Sequence, residues 1–368
     1  MVFNEKQKLL INSHRAKILC IAEPASGKTA VLTERIRHLI KDEKVEPKDI
    51  VAITFTKLAA REMRQRLEDL NVDEMFIGTV HSYALKICGL NEISMYQAID
   101  EEEYDKILTT AAQLPRSKYT HIKHLLIDEA QDLTLLEYAF IDKIPTENIF
   151  YVADPNQCIY QFKGGSERFI LEKYKDPSYT NFSLNINYRN APNILKFANS
   201  LLHSSSSYGD EVVPIKTEDG VLETKMSFDE AYEELKDSKD WGNWAILART
   251  NNEINIIQRT LDKDEIPNLT FKKSDFEDPT QIETALKSNV VKVLTAHTSK
   301  GLEFSNVIAV GIRVYNAAEA NLAYVAATRA KNKLYWCKPI KGTRCRTRNA
   351  FSQPAVKGLK DDDGMIVF

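Results

Sequence analysis

"ILCIAEPASGKTAVL", residues 18–32, combines an apolar strand, a short loop and the start of an amphipathic helix. A strand that runs through such a loop into a helix presents backbone N–H groups and the helix dipole to a phosphate. Lys28 is then placed to reach the β and γ phosphates of a nucleotide, and the Thr29 hydroxyl to ligate Mg²⁺. Because Ala22 replaces the usual opening glycine and Gly27 is the loop's sole glycine, a chance match stays open at this point.

A second stretch, "HLLIDEAQD" (124–132), ends an apolar strand with two adjacent carboxylates. In α/β proteins, ligands bind at the carboxyl ends of the strands. Asp128 suits an outer contact to Mg²⁺, and Glu129 suits a base for an attacking water. Alone, the pair is equally an exposed acidic turn. Together with the upstream Gly-Lys-Thr it indicates an ATPase.

The regions around these stretches repeat one local pattern, in which short apolar runs alternate with segments of helical periodicity. The strand candidates are "KILCIA" (17–22), "DIVAITFT" (49–56), "MFIGTV" (75–80), "HLLID" (124–128) and "IFYVAD" (149–154), and from about residue 183 "WAILAR" (244–249), "VKVLTA" (291–296), "VIAVGI" (307–312) and "KLYWC" (333–337). Near-continuous apolar strands between amphipathic helices predict parallel sheets covered on both faces. We therefore expect an α/β fold with two domains.

Composition narrows the function classes. The 368 residues are 43% hydrophobic, enough for two cores, and 49 basic against 52 acidic residues give a net charge of −3. No protein-wide positive field therefore exists to attract nucleic acid or an anionic membrane, so any such binding needs a local patch. We find no membrane-length apolar run and no signal-peptide pattern, and we expect a soluble, intracellular protein with no membrane partner. The five cysteines lack CxxC spacing, which favours reduced thiols over a zinc site or disulfides.

Further motifs lie before, between and after these two along the chain. They are "FNEKQ" (3–7), "TFTKLAAREM" (54–63), "GTVHS" (78–82), "VADPNQCIYQFKGG" (152–165), "NYRN" (187–190), "ARTNNE" (248–253), "TAHTSKGLEF" (295–304) and "AYVAATRAKNKL" (323–334). The ordered set resembles the UvrD/Rep family of superfamily 1 DNA helicases, from residue 3 to about 335. The resemblance implies two RecA-like P-loop domains, 1–182 and 183–340, with ATP bound at the cleft between them.

The resemblance also changes the reading of the phosphate loop. The family usually has alanine at the position of Ala22, so that departure is a family trait. Glu23 and Ala25 instead stand where the family usually has glycine. The Ala25 methyl group could crowd the backbone nest for phosphate, yet we expect nucleotide binding to survive.

Roles at the Mg-ATP site are implied by the resemblance, residue by residue. The nucleotide-binding set is Gln7 at the adenine edge, Ala25, Ser26, Gly27, Lys28 and Thr29 in the loop, Arg35 and Tyr188 on the two faces of the adenine, Gly301, and Glu303 at the ribose. Gln157 would sense the γ phosphate. Arg189 and Arg329 would reach it from the second domain like arginine fingers, because a phosphoryl transition state spreads negative charge that guanidinium groups neutralise.

A DNA-binding set is implied in the same way. It comprises Phe55, Thr56, His81, Tyr160, Phe162, Lys163, Arg249, Asn251, Thr295 and His297. The aromatic residues are candidate platforms for base stacking. Without the family, two aromatics beside a strand are more often core residues, although the adjacent "KGG" (163–165) favours a surface loop. Lys163 stands where the family more often has arginine, and each histidine alone would be taken as structural.

The leading hypothesis is a motor that couples Mg-ATP hydrolysis to movement on single-stranded DNA and unwinds duplex at single-strand/duplex junctions, in DNA replication or repair. The resemblance implies that the movement is 3′ to 5′. Large accessory insertions are not expected, because the intervals 82–124 and 252–290 hold only about 40 residues each, with a small insertion near 84–122. Unwinding is therefore less secure than translocation, and a translocase that displaces proteins is the close rival. An ATP-gated binding module is the rival from another class.

The C-terminal segment 341–368 is basic and then acidic, "KGTRCRTRN" followed by "KDDDGMIVF". It is interpreted as a disordered tail, with a peptide that docks a protein partner as the alternative. The small size suits a bacterial or phage-encoded enzyme in the cytoplasm of a bacterial host.

Overall fold

The computed structural model describes residues 2–90, 101–202, 210–271 and 279–340, which form two compact units. The first unit holds the described residues up to Asn185 together with Asp210 and Glu211, and the second holds the other described residues from Ile186 onward. The C-terminal segment 341–368, the loop "HSSSSYG" (203–209) and part of the predicted insertion, 91–100, lie outside the described residues.

The first unit alternates strands and helices, as its apolar runs predict. Its strands are β1 (Lys17–Ala22), β2 (Ile50–Thr54), β3 (Phe76–Thr79), β4 (Ile122–Ile127), β5 (Thr146–Ala153) and β6 (Thr180–Leu184). Its helices are α1 (Glu5–Ile11), α2 (Lys28–Lys41), α3 (Lys57–Arg66), α4 (Val80–Cys88), α5 (Glu101–Gln113), α6 (Leu135–Ile141) and α7 (Glu167–Lys175). Short 3-10 turns at Ala130–Asp132 and Pro155–Gln157 follow β4 and β5.

The six strands form one parallel sheet in the order β3-β2-β4-β5-β1-β6. Successive side chains of a strand point to opposite faces, and here both faces are buried. Along β1, Leu19 and Ile21 pack into one apolar cluster, whereas Ile18 and Cys20 pack into the other. Helices cover both faces, which explains why the strands are apolar at nearly every position.

The second unit repeats this plan. Its strands are β7 (Ile186–Asn187), β8 (Val213–Pro214), β9 (Val221–Glu223), β10 (Trp244–Ala248), β11 (Asn268–Thr270), β12 (Val291–Thr295), β13 (Phe304–Val310) and β14 (Ala330–Cys337). Its helices are α8 (Pro192–Ser200), α9 (Phe228–Ser238), α10 (Asn251–Lys263), α11 (Pro279–Lys287) and α12 (Ala317–Ala327). Six strands form a parallel sheet in the order β11-β12-β10-β13-β14-β9, and β7 pairs with β8.

These two sheets confirm the predicted α/β class, and every predicted apolar run overlaps a strand. The sheet orders decide where the motifs meet. In the first unit β4, β5 and β1 are neighbours, so the segments that follow them lie side by side at the carboxyl edge of the sheet. In the second unit β12 and β10 are neighbours in the same way. None of the helices in the described ranges has the length and apolar character needed to cross a bilayer.

Candidate functional site

The loop between β1 and α2 turns tightly back on itself. Ser26 donates its hydroxyl and its backbone N–H to the carbonyl of Glu23, at 2.7 and 3.2 Å. Gly27 caps α2 with a left-handed backbone, φ 85°, which glycine adopts without a steric cost. Ala25 is also left-handed, with φ 56°, although it carries a Cβ. The loop thus has the shape of a phosphate nest in which one position is strained.

Lys28 and Thr29 open α2 and face the neighbouring strands. The Lys28 ammonium donates to the Ala22 carbonyl at 3.1 Å and lies 3.7 Å from Oδ2 of Asp154, which follows β5. The Thr29 hydroxyl donates to Oδ2 of Asp128 at 3.4 Å. The structure therefore brings together the two side chains that the sequence assigns to Mg²⁺.

The predicted carboxylate pair follows β4. Asp128 is buried, and its Oδ1 accepts the Glu129 N–H at 3.0 Å. Burial raises the pKa of Asp128, and the Glu129 charge raises it further, while the Lys28 ammonium opposes both effects. Glu129 has a left-handed backbone, φ 52° and ψ 40°, and is half-buried, whereas Asp128 is buried. Two adjacent carboxylates thus occupy different environments, as separate metal-binding and base roles require.

A magnesium ion would fit this edge only together with a nucleotide. Within the described ranges, no group of three His, Cys, Asp or Glu side chains comes together as a metal site. Mg²⁺ in nucleotide sites is held by one or two protein oxygens and completes its shell with phosphates and water. Thr29 and Asp128 supply those two oxygens, so the residues present fit a metal that arrives with ATP.

The segment after β5 is bonded to the carboxylate pair through a residue that the sequence analysis missed. Gln131 donates from Nε2 to Oε2 of Glu129 at 2.5 Å, and its Oε1 accepts the Asp154 N–H at 2.9 Å. Oδ2 of Asp154 accepts from Nε2 of Gln157 at 2.5 Å. The predicted base, the predicted γ-phosphate sensor and Lys28 are therefore linked through Gln131 and Asp154. The only sequence signal was their place in "DEAQD" and "VADPNQ".

Gln7 reaches the phosphate loop. Its Nε2 donates to the Ser26 carbonyl at 3.0 Å, and its Oε1 accepts the Asn4 N–H at 2.9 Å in a capping box of α1. The predicted role of Gln7 at the adenine edge stays a prediction. The structure shows in addition that Gln7 is bonded to the main chain of the phosphate loop.

The structure places Arg35, predicted to lie against the adenine, in the core of the first unit. Arg35 is only 3% exposed, and its guanidinium donates to the carbonyls of Leu10 and Ile11 at 3.2 and 2.9 Å. It also lies over the Phe150 ring, 5.0 Å from the centroid, and burial lowers its pKa to about 10. Arg35 therefore ties α2 to the end of α1 inside the core, and its predicted role at the adenine stays a prediction.

In the second unit, two residues assigned to the nucleotide are paired with each other. A guanidinium nitrogen of Arg189 lies 2.5 Å from Oε2 of Glu303, and Lys331 binds the other carboxylate oxygen at 2.6 Å. Arg329 donates to the Val325 and Leu302 carbonyls at 2.9 and 3.0 Å. Both arginines are thus held within their own unit, and a phosphate contact would require exchange of these bonds.

The remaining nucleotide candidates of this unit are more open. Tyr188 is 38% exposed, and Gly301 is in the turn between β12 and β13 with φ 84°. Their assignment to the adenine and the nucleotide stays a prediction.

The DNA candidates of the first unit gather at the carboxyl edge of the sheet. Phe55 and Tyr160 stack with ring centroids 5.1 Å apart, and Phe162 lies 6.1 Å from Tyr160 and is 70% exposed. Thr56 caps α3, accepting the Ala59 N–H, and His81 lies 3.7 Å from a Glu137 oxygen. The side chain of Lys163 lies outside the described part of the structure. The aromatic cluster of Phe55, Tyr160 and Phe162 therefore combines a packed pair with an exposed ring.

In the second unit, the DNA candidates follow β10 and β12. Arg249 makes a two-bond ion pair with Glu319, at 2.6 and 3.1 Å, which sequence reasoning missed. Burial and the Arg249 charge lower the pKa of His297 to about 4, so this imidazole is neutral at pH 7. Thr295 bonds the hydroxyl of Thr298 at 2.8 Å, and Asn251 is exposed at the start of α10.

Comparisons with protein families identify the family of the chain that carries these two sheet edges. A family model described as the UvrD/REP helicase N-terminal domain matches residues 3–106 and 102–178. Two models described as the UvrD-like helicase C-terminal domain match residues 182–287 and 291–337. The chain belongs to the UvrD/Rep helicase family. Its two parallel sheets are therefore the two RecA-like domains that the sequence predicts.

Several named helicases are similar to this chain at low sequence identity. The ATP-dependent DNA helicase Rep of Buchnera aphidicola is 26% identical over 73% of this chain and 54% of its own length. A putative ATP-dependent DNA helicase of Acanthamoeba polyphaga mimivirus is 28% identical over 92% of this chain and 54% of its own. The helicase PcrA of Bacillus subtilis is 23% identical over 70% and 49%. The chain spans about half the length of the curated relatives it matches.

Proposed function

We propose that this UvrD/Rep family chain is a DNA-dependent ATPase that moves along single-stranded DNA in the 3′-to-5′ direction and unwinds duplex. The observation that carries the proposal is one linked site in the first unit: Lys28 and Thr29 contact Asp154 and Asp128, and Gln131 bonds both Glu129 and Asp154. A nucleotide-binding module without turnover has no need for a base that is held in this way.

The residues divide the chemistry of hydrolysis among them. The loop N–H groups and Lys28 bind the phosphates, while Thr29 and Asp128 hold the metal that arrives with ATP. Once held there, the metal would supply positive charge that neutralises the phosphates. Glu129 accepts a proton from the attacking water, and Gln157 positions the water or the phosphate.

Arg189 and Arg329 complete the proposed reaction. Arginine groups at the transferred phosphate contribute about 10³ to 10⁵ in rate in other phosphoryl-transfer enzymes. Because each is bonded within its own unit, through Glu303 and through main-chain carbonyls, we propose that ATP draws them away from these partners. Hydrolysis would then be coupled to a conformational change, and that change would move the DNA.

The aromatic cluster is the proposed stacking platform for a DNA strand. Phe162 offers its exposed ring to a base, while Phe55 and Tyr160 hold each other and support it. Stacking on an aromatic side chain contributes roughly 1 to 3 kcal/mol per base and tolerates any sequence. Single-stranded DNA and single-strand/duplex junctions are therefore the proposed substrates. The residues 341–368 remain a proposed contact to a protein partner, and the bacterial cytoplasm is the proposed location.

A translocase with little unwinding of its own is the second candidate. It is favoured by the intervals 82–124 and 252–290, which at about 40 residues each are too short for large inserted domains. Strand displacement distinguishes the two: duplexes with a 3′ tail, a 5′ tail or no tail are incubated with ATP and Mg²⁺ and the released strand is measured. Release from the 3′-tailed duplex alone supports the helicase. Hydrolysis without release from any duplex supports the translocase, and release from the 5′-tailed duplex alone refutes the polarity.

A further inference from the structure

Gln131 is buried at the centre of the candidate site and has not been given a role in the reaction. It lies in the 3-10 turn Ala130–Asp132, two residues after the proposed base, and its side chain is fully buried at 0% exposure. A buried amide is costly unless its donor and its acceptor are both bonded. Both are bonded here, and each bond goes to a different part of the site.

The two bonds fix the orientation of the amide. Only the NH₂ group can donate to Oε2 of Glu129, at 2.5 Å, and only the oxygen can accept the Asp154 N–H, at 2.9 Å. A bond from an amide to a carboxylate is charge-assisted, which makes it one of the stronger hydrogen bonds. The Gln131 amide thereby holds the Glu129 carboxylate, and Glu129 itself has a left-handed backbone, φ 52°.

The far end of the amide reaches the segment 154–158, which follows β5. Asp154 accepts from Gln157 at 2.5 Å and lies 3.7 Å from the Lys28 ammonium. The main-chain carbonyl of Gln131 accepts the Cys158 thiol at 3.3 Å, so the turn and this segment are joined twice. A displacement of the segment would therefore be passed to the base through a single rigid side chain.

We propose that Gln131 is a positioning residue for hydrolysis: its amide sets the Glu129 carboxylate relative to the segment 154–158. The inference rests on the proposed ATPase function. It predicts an effect on turnover rather than on nucleotide affinity, because a misplaced base leaves the phosphate contacts in place, whereas an error of about 1 Å in a reacting group can cost 10²-fold in rate.

Two substitutions separate the bonds. Gln131→Met removes both, and with them the 3.5 Å bond from the amide to Oδ2 of Asp132, with a side chain of similar length. Gln131→Glu keeps an oxygen for the Asp154 N–H and replaces the donor to Glu129 by a second carboxyl group. For the full chain with Mg²⁺ and single-stranded DNA, we expect each to lower kcat at least tenfold and to leave the Kd for a fluorescent ATP analogue within threefold. Gln113→Met, at the exposed end of α5, is the matched control and should change neither.

A double-mutant cycle distinguishes positioning from general support of the core. Glu129→Asp shortens the base so that it no longer meets the Gln131 amide. If Gln131 acts through Glu129, adding Gln131→Met to Glu129→Asp should cost less than twofold more in single-turnover rate. Losses that multiply would overturn the inference, as would a Gln131→Glu variant with wild-type kcat. A wild-type protein without hydrolysis would instead remove the proposed function, and this inference with it.

Discussion

Replacement of Ala25 by glycine should stabilise the first unit, which is unusual for a change inside a phosphate loop. Ala25 has φ 56°, and a left-handed backbone costs an L-residue roughly 1 to 2 kcal/mol. Glycine removes that cost but gives the unfolded chain more freedom, worth about 0.4 to 1 kcal/mol. Loss of the half-buried methyl group costs about a few tenths of a kcal/mol more. The net expectation is stabilisation by about 0.5 kcal/mol.

Thermal and urea denaturation measure this effect, and a matched position separates backbone strain from the site. Lys44 has nearly the same conformation, φ 57°, but is exposed and outside the loop. Lys44→Gly should therefore stabilise by a similar amount. Because Ala25 already holds the left-handed form, Ala25→Gly should keep ATP affinity at least at the wild-type level. Ala25→Val should destabilise by more than about 1 kcal/mol, since a β-branched residue is a severe outlier in this region.

A lower midpoint for Ala25→Gly, with a raised midpoint for Lys44→Gly, would refute the reasoning. It would mean that the loop gains more from the Ala25 methyl group than it loses from its backbone.

Three further results are expected. Phe162→Ala should weaken binding of single-stranded DNA about 5- to 100-fold, measured by fluorescence anisotropy, with basal hydrolysis within twofold; unchanged affinity would show that the exposed ring carries no base. Arg35→Ala should lower the free energy of unfolding by about 2 to 4 kcal/mol, because buried carbonyls lose their donor, and should change KM for ATP and GTP equally; a loss selective for ATP would restore an adenine contact. The pKa of His297 is lowered to about 4, so the folded state binds fewer protons than the unfolded state between about pH 6.5 and 4. The free energy of unfolding should therefore fall by up to about 3 kcal/mol as the pH drops from about 6.5 towards 4. His297→Gln should flatten this part of the pH profile of denaturation.

The central strands were predictable because burial on both faces demands unbroken apolar runs. "KILCIA" coincides with β1, and the order of the motifs along the chain places them at the carboxyl edges of two sheets. The short strands β9 and β11 lie at sheet edges, carry polar residues and span three positions each, so they have no such signal. The two-domain α/β fold was therefore predictable from the sequence, whereas these short edge strands were not.

The candidate site was predictable where its residues sit in local motifs. Lys28 and Thr29 were assigned from a strand-loop-helix context and Asp128 from the end of an apolar strand, and the structure brings them together. The bonds of Arg35 to the end of α1 were not predictable, because a helical position does not show which backbone carbonyls a long side chain will reach. Glu319 was missed because its partner, Arg249, is distant along the chain, and only the packing of α12 reveals the pair.

The central claim is that the chain hydrolyses ATP with Glu129 as the base and that DNA controls the rate. The direct test is steady-state ATP hydrolysis by the purified chain with Mg²⁺, with and without a single-stranded oligonucleotide, for wild type and Glu129→Gln. We expect strong stimulation by DNA in the wild type, and its loss in Glu129→Gln with nucleotide binding retained. A hydrolysis rate that DNA does not change, or that Glu129→Gln does not lower, would contradict the account.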